Sequence, residues 1–384
     1  MPGGQGLSLI FLAAGEVSGD RHGACLAREI LALEPDSHLV GWGGEEMQKS
    51  GVEILADLTP LSAVGLLEQL PGLSSSLRAL AEAKKFFKEK KPDVVVLIDY
   101  QGANMKLARY AKLLKIPTVY YIAPQEWIWG FKSGARKVAE SVDVILAIFE
   151  QEAKVYREVG GCVGFVGHPL LDQVPNGSQR ARIGRELGLD LKEPILGLLP
   201  GSRKNEVKSL LPIMLKAAEK LKEEFPTIQP VIPIASAFLR PLIEEALANL
   251  PFKVWTTETS GMGLIQSCDV AIAASGTATL EAAIVGTPVV AAYKISPLTE
   301  MVARRLMRSP YVTLPNILTG RKIVPELLQK EANPLRMAQE AASLLGDPRL
   351  RQEMLREFSL LRNQLGRPGA AQRAAKIVLE TRKK

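Results

Sequence analysis

Short runs of consecutive apolar residues alternate along this chain with longer segments in which apolar residues recur every three or four positions. The first pattern predicts buried parallel strands and the second amphipathic helices, and their regular alternation predicts a doubly wound α/β architecture. In the first half the strand candidates are 8–13, 94–98, 118–122, 144–148 and 163–166, with helices at 20–33, 76–90 and 104–114 between them. The stretch 167–194, rich in Pro, Gly and charge, interrupts the pattern and reads as a linker with one short helix. The pattern restarts with strands at 195–199, 229–234, 252–255, 269–273 and 289–292, and helices at about 205–224 and up to residue 250. From Asn333 onward only helical periodicity remains, so several helices and no further strand are expected.

This organisation predicts two Rossmann-like domains, 1–170 and 195–345, joined by 171–194 and followed by helices over 346–384 that pack back on the first domain or on a partner subunit. A length of 384 residues fits two ordinary cores. In such folds ligands sit at the carboxyl ends of the strands, here in a cleft between the domains.

Composition narrows the class. Hydrophobic residues make up 47% and charged residues 23%, as in soluble globular proteins. The apolar run near residue 10 has no basic segment before it, and no window approaches 18 uninterrupted apolar residues, so a protein kept in the cytosol without a spanning helix is expected. Cys25, Cys162 and Cys268 are isolated, which argues against a disulfide framework or a zinc site. The net charge of +7 favours anionic partners: nucleic acid, phospholipid or phosphosugar.

The sharpest candidate chemistry lies in 273–281, Ala-Ala-Ser-Gly-Thr-Ala-Thr-Leu-Glu, where a strand passes through a small-residue turn into a helix. Backbone N–H groups around Ser275, Gly276 and Thr277 at a helix start bind a phosphate, and Glu281 accepts from ribose hydroxyls. The alternative is that Ser275 and Thr277 cap the helix and Glu281 is solvated. Gly201, Ser202 and Arg203 follow another strand of the same half. Glycine permits close backbone approach there, and the guanidinium fork suits diphosphate oxygens. A surface turn with a solvated arginine is the competing reading.

In the first half the loop 14–20, Ala-Gly-Glu-Val-Ser-Gly-Asp, stands where a dinucleotide-binding protein holds pyrophosphate. It lacks the GxGxxG spacing, and Glu16 and Asp20 repel phosphate, so with Ser18 it suits sugar hydroxyls. Asp20 also serves as a cap for the helix that follows. Asp99 ends a strand and is a candidate general base, with helix capping as its alternative. His168 follows another strand end as either a ligand-side or a packed histidine. Leu66, Leu67, Leu70 and Leu73, interrupted by Pro71 and Gly72 and followed by Lys84, Lys85, Lys88, Lys90 and Lys91, read either as an interfacial membrane element or as a packed helical pair. Arg304, Arg305 and Arg308 form a second basic cluster.

Six stretches together, AGEVSGD (14–20), VGLLEQL (64–70), GHPLLD (167–172), LLPGSRKNEV (198–207), ASGTATLEAAIVGTPVV (274–290) and LPNILTGRKIVPELLQ (314–329), resemble the lipid-A-disaccharide synthase family over essentially the full length. The resemblance implies a glycosyltransferase-B fold and an inverting, metal-independent transfer without a cofactor. Its substrates would be UDP-2,3-diacylglucosamine and 2,3-diacylglucosamine 1-phosphate, and its products a β(1→6) disaccharide 1-phosphate and UDP. It carries UDP binding onto Ser202, Arg203, Ser275, Thr277, Glu281 and Asn316, the base onto Asp99 and the acceptor-side carboxylates onto Glu16 and Asp20. It further implies peripheral attachment to the cytoplasmic face of the inner membrane and a homodimer through the C-terminal helices.

Two segments depart from the family pattern. Asp-x-Pro-Asp-Phe-Asn reads here Asp99-Tyr100-Gln101-Gly102-Ala103-Asn104, and Ser-Pro-Ser-Val-Trp-Ala-Trp-Arg reads Ala123-Pro124-Gln125-Glu126-Trp127-Ile128-Trp129-Gly130. Competing readings are another UDP-sugar glycosyltransferase or epimerase of the same fold and a UDP-lipid-binding protein without turnover. Three histidines are few for an epimerase, and no stacking-aromatic motif supports nucleic-acid binding.

Overall fold

The computed structural model describes residues 8–59, 70–129, 132–259, 261–294 and 309–382. The chain divides into two compact units, Met1–Asp172 with Leu365–Lys384, and Gln173–Gln364.

The first unit contains strands β1 (Leu9–Ala14), β2 (His38–Trp42), β3 (Val52–Ala56), β4 (Val94–Ile98), β5 (Thr118–Tyr121), β6 (Val144–Ala147) and β7 (Val163–Phe165). Its helices are α1 (Val17–Leu33), α2 (Glu45–Lys49), α3 (Leu70–Lys90), α4 (Gln101–Leu113), α5 (Glu126–Trp129), α6 (Lys132–Ser141) and α7 (Glu150–Glu158). The strands form one parallel sheet in the order β3-β2-β1-β4-β5-β6-β7. Helices cover both faces, so β1 and β4 are buried along almost their whole length, as their unbroken apolar runs require. Phe11 anchors one face, edge-on to Phe87 at 4.9 Å and to Trp42 at 6.1 Å. Ala79, Leu80, Ala83 and Phe87 of α3 recur at helical spacing and join that core.

The second unit starts with α8 (Arg180–Leu187). There follow β8 (Ile195–Leu199), α9 (Lys204–Glu224), β9 (Gln229–Pro233), α10 (Arg240–Leu247), β10 (Trp255–Thr257), α11 (Met262–Ser267), β11 (Val270–Ala274), α12 (Thr277–Val285) and β12 (Val289–Tyr293). Then come α13 (Leu314–Thr319), β13 (Glu326–Leu328), α14 (Pro334–Gly346) and α15 (Pro348–Gln364). Its sheet is parallel in the order β10-β9-β8-β11-β12-β13. The segment before β8 belongs to this body. Arg180 ties it down through the Asp269 carboxylate at 2.8 Å and the carbonyls of Ser267, Leu191 and Glu193, while Ile183 and Leu189 pack with Leu264 and Cys268. The last helix, α16 (Ala370–Thr381), returns to the first unit and packs on α1.

Three strands are absent from the sequence-based expectation, and one is displaced. β13 is three residues long, too short to show a period, and β10 occupies Trp255–Thr257 instead of 252–255. β2 and β3 are five-residue strands at one end of the sheet, and β2 carries a glycine, Gly41. The structure gives that glycine a role: a Cβ on Gly41 would stand 1.8 Å from the carbonyl oxygen of Leu12 in β1. Gly41 is therefore the condition for β2 to pair with β1. Gly41→Ala is expected to destabilise the first unit by at least ~2 kcal/mol. Urea unfolding followed by tryptophan fluorescence checks this, and an unchanged midpoint would contradict the close approach.

Candidate functional site

Both sheets reverse their strand order once, and Glu16, Ser18, Asp99, Gly201, Ser202, Arg203, Ser275 and Gly276 lie in the loops at those points. In the second unit the reversal lies between β8 and β11. The loop after β8 holds Gly201, Ser202 and Arg203, and the loop after β11 holds Ser275 and Gly276. Neither helix that follows is capped by a side chain. Arg203 is the N-cap of α9 and Gly276 that of α12, both without a side-chain capping bond. Ser275 and Thr277 are thus not caps: the Ser275 hydroxyl points to the Val312 carbonyl at 3.5 Å, and its amide donates to Ala292 at 2.9 Å. The start of α12 consequently presents amide donors and the positive end of a helix dipole at an exposed turn.

Gly201 has φ +105°, a conformation that favours glycine, and a Cβ there would approach the Glu206 carboxylate to 2.4 Å. Glu206 in turn accepts from Arg203 at 3.1 Å, with the Arg203 side chain 67% exposed. The guanidinium therefore stands in solvent, paired with a single carboxylate. Tyr293, at the end of β12, neighbours the same pair: burial raises its phenol pKa, and the charge of Glu206 adds to the effect. Glu281 is half-buried in the second turn of α12.

Asn316 has a different place from the one the resemblance implies. It is fully buried, and its amide donates to the Val324 carbonyl and to Glu326 Oε1, both at 2.9 Å. Its oxygen accepts from the amides of Ile323 and Val324 at 2.8 Å. The hydrogen-bonding capacity of its side chain is used internally, so the side chain braces the loop. Glu326, which the sequence reading missed, completes the brace by accepting from the amides of Val312 and Thr313 and from the Thr313 hydroxyl. The brace thus fixes the segment against which Ser275 rests.

In the first unit the reversal lies between β1 and β4, and it brings Glu16, Ser18 and Asp99 together. Glu16 is the N-cap residue of α1, and the Ser18 hydroxyl donates to Asp99 Oδ2 at 3.2 Å. Burial raises the Asp99 pKa, while the Tyr100 amide and the Ser18 hydroxyl pull it back. Asp99 and Tyr100 have φ of 52° and 45°, consecutive left-handed residues that each store on the order of 1 kcal/mol of strain. The Tyr100 ring lies over Gly15, where a Cβ would come within 2.2 Å of it, so the glycine of the first loop is shaped by the second. The two atypical segments also meet: Gln101, first residue of α4, donates to Glu126 at 2.9 Å.

Asp20 and His168 are structural in this arrangement. Asp20 lies inside the first turn of α1 and does not cap it. Its carboxylate accepts from the amides of Gly44, Glu46 and Met47 at 2.7 to 3.1 Å and so caps α2. His168 is buried, its Nδ1 accepts from the Leu170 amide at 3.2 Å, and its ring lies 4.9 Å from that of Phe149. Burial, with a smaller effect of His22, pushes its pKa down to about 3, so it stays neutral. Leu66 and Leu67, like Arg304, Arg305, Arg308 and Gly130, lie outside the described residues; Leu70 and Leu73 fall at the start of α3. Among the described residues no helix is long and apolar enough to cross a membrane, and no group of three His, Cys, Asp or Glu side chains is placed to hold a metal.

Comparison with solved structures places the fold among glycosyltransferase-B proteins. The chain resembles the UDP-GlcNAc 2-epimerase of Neisseria meningitidis bound to UDP-GlcNAc, with a TM-score of 0.67 at 13% identity, covering 97% of this chain and 99% of that one. It resembles the kitacinnamycin glycosyltransferase with a TM-score of 0.65 at 14% identity over 98% and 100%. These likenesses concern the fold alone. Sequence comparison is more specific. The lipid-A-disaccharide synthase of Syntrophus aciditrophicus is 41% identical over 377 residues, 98% of each chain, and that of Geobacter sulfurreducens is 38% identical over 97% of this chain and 96% of its own. The model of the lipid-A-disaccharide synthetase family, LpxB, matches residues 10–380. With a family match across nearly the whole length and relatives of this identity, the chain belongs to the lipid-A-disaccharide synthetase family of glycosyltransferases.

Proposed function

We propose that this chain joins UDP-2,3-diacylglucosamine to 2,3-diacylglucosamine 1-phosphate, giving a β(1→6) disaccharide 1-phosphate and UDP. The observation that carries the reading is the pair of uncapped helix starts flanking the strand reversal of the second unit, with the exposed Arg203 guanidinium at one of them. In this assignment the amides of Gly276 and Thr277, the Ser275 hydroxyl and the fork of Arg203 take the diphosphate, with Gly201 and Ser202 admitting it closely. Glu281 accepts from the ribose hydroxyls. As the glycosidic C1–O bond breaks, its electron pair passes to UDP, and these donors offset the developing charge without a metal.

On the acceptor side, Asp99 takes the proton of the sugar 6-hydroxyl as that oxygen bonds to the anomeric carbon from the opposite face. Raised by burial, its carboxylate is a stronger base than an exposed one. Glu16 and Ser18 orient the acceptor beside it, while Asp20 and His168 act indirectly by holding the loops. The leucines at 66, 67, 70 and 73 and the exposed Lys85, Lys88, Lys90 and Lys91 at the end of α3 serve as the contact with the cytoplasmic face of the inner membrane. The assembly that accompanies this reading is a homodimer, which sedimentation measures.

Supplied with both acylated sugars in EDTA, the purified protein is expected to release UDP and form the disaccharide. Arg203→Ala and Glu281→Ala are each expected to lower kcat/KM by about a hundredfold, and Asp99→Asn to lower kcat at least as much. Wild-type rates in all three would remove the assignment.

The pH profile provides a separate check. Asp99 must be ionised to accept a proton, and its pKa lies above the ordinary 3.8, so the acidic limb of kcat is expected above that value. Because the Ser18 hydroxyl stabilises the carboxylate, Ser18→Ala is expected to move the limb to higher pH. A shift to lower pH would exclude Asp99 as its source.

A further inference from the structure

The backbone of Asp99 is held from two directions by side chains to which no role has so far been given. Asn104, fully buried in α4, donates through Nδ2 to the Asp99 carbonyl at 2.9 Å. The same nitrogen lies 3.2 Å from the carbonyl of Ala13 and 3.3 Å from that of Ile98, so it gathers the ends of β1 and β4 with the loop between β4 and α4. Its Oδ1 is buried and has no hydrogen-bond partner among the described residues. An amide that leaves one end empty in the interior is oriented by what its other end holds. Tyr120, fully buried in β5 beside β4, donates its hydroxyl to the same Asp99 carbonyl at 2.9 Å. Burial raises the phenol's pKa and the charge of Asp99 adds to this, so the hydroxyl keeps its proton and remains a donor.

The carbonyl they grip belongs to the first of two consecutive non-glycine residues at positive φ. Released, a peptide of this kind relaxes toward the extended or right-handed regions, and the carboxylate is redirected. We propose that Asn104 and Tyr120 are positioning residues for the reaction, clamping the Asp99 carbonyl so that the strained backbone keeps its carboxylate beside Ser18 and the attacking hydroxyl. The inference rests on the reading of Asp99 as the base.

Tyr120→Phe tests it with the least disturbance, since the ring is kept and only the donor is lost. The expected result is a kcat lower by about tenfold, with KM for each acylated sugar within about twofold of wild type. Asn104→Ala is expected to lower kcat further. In an Asp99→Asn background, Tyr120→Phe should subtract nothing more from the residual rate, because the group it positions is already gone. A wild-type kcat for Tyr120→Phe, or an equal loss in both backgrounds, overturns the clamp while an inactive Asp99→Asn leaves the base in place. Wild-type turnover by Asp99→Asn removes the base, and the clamp with it.

Discussion

In each sheet the two central strands send their connections to opposite faces. Between β1 and β4, and again between β8 and β11, the order reverses, so neighbouring loops diverge there. Among the described residues, Glu16, Ser18, Asp99, Arg203, Ser275 and Gly276 stand at these two points. The constraint is one of chain path, because parallel strands need crossovers, crossovers cover the faces, and only the carboxyl edge at the reversal stays open. Composition then decides what each opening accepts.

The two openings are made electrostatically different. In the second unit small residues and glycine at the turn leave backbone amides uncapped, and Arg203 adds an exposed guanidinium paired with Glu206. In the first unit the equivalent position carries Glu16 and Asp99, and burial makes the latter hold its proton more tightly. A diphosphate and a sugar alcohol need these opposite environments. The uncapped helix start costs some local stability, since a Ser or Asp cap is worth about 1 kcal/mol. That cost is of a size that ligand binding readily offsets.

Much of this was legible from the chain alone. Buried parallel strands announce themselves as unbroken apolar runs, and the turn residues at 199–203 and 274–277 stand between a strand end and a helix start that no side chain caps. What escaped the sequence were contacts between residues distant along it. Gly41 shows its role only once Leu12 is placed opposite it. Asp20 reads as a cap for its own helix, and only the fold shows that three amides of another helix fill it. Asn316 lies in a motif that points to the nucleotide, yet its bonding is closed by Glu326 and by the backbone at 323 and 324. Periodicity reports which face a residue occupies, and it is silent about which partner will meet it there.

The atypical first-unit segments show how such partners compensate. Where the family pattern has proline at the first position of α4, a residue that fixes φ and rigidifies the helix start, this chain has Gln101. Rigidity is restored by side chains instead. Gln101 reaches Glu126 in the second atypical segment, and Tyr100 seats its ring on Gly15 of the first loop. The exposed Gln101–Glu126 bond alone contributes little, about 1 kcal/mol at most. The buried contacts around Asp99 matter more, because the positive φ values at 99 and 100 leave the loop no relaxed alternative that preserves the carboxylate's direction. The two departures therefore belong to one local solution, in which strain imposed by the strand end is balanced by hydrogen bonds and ring packing in place of a proline ring.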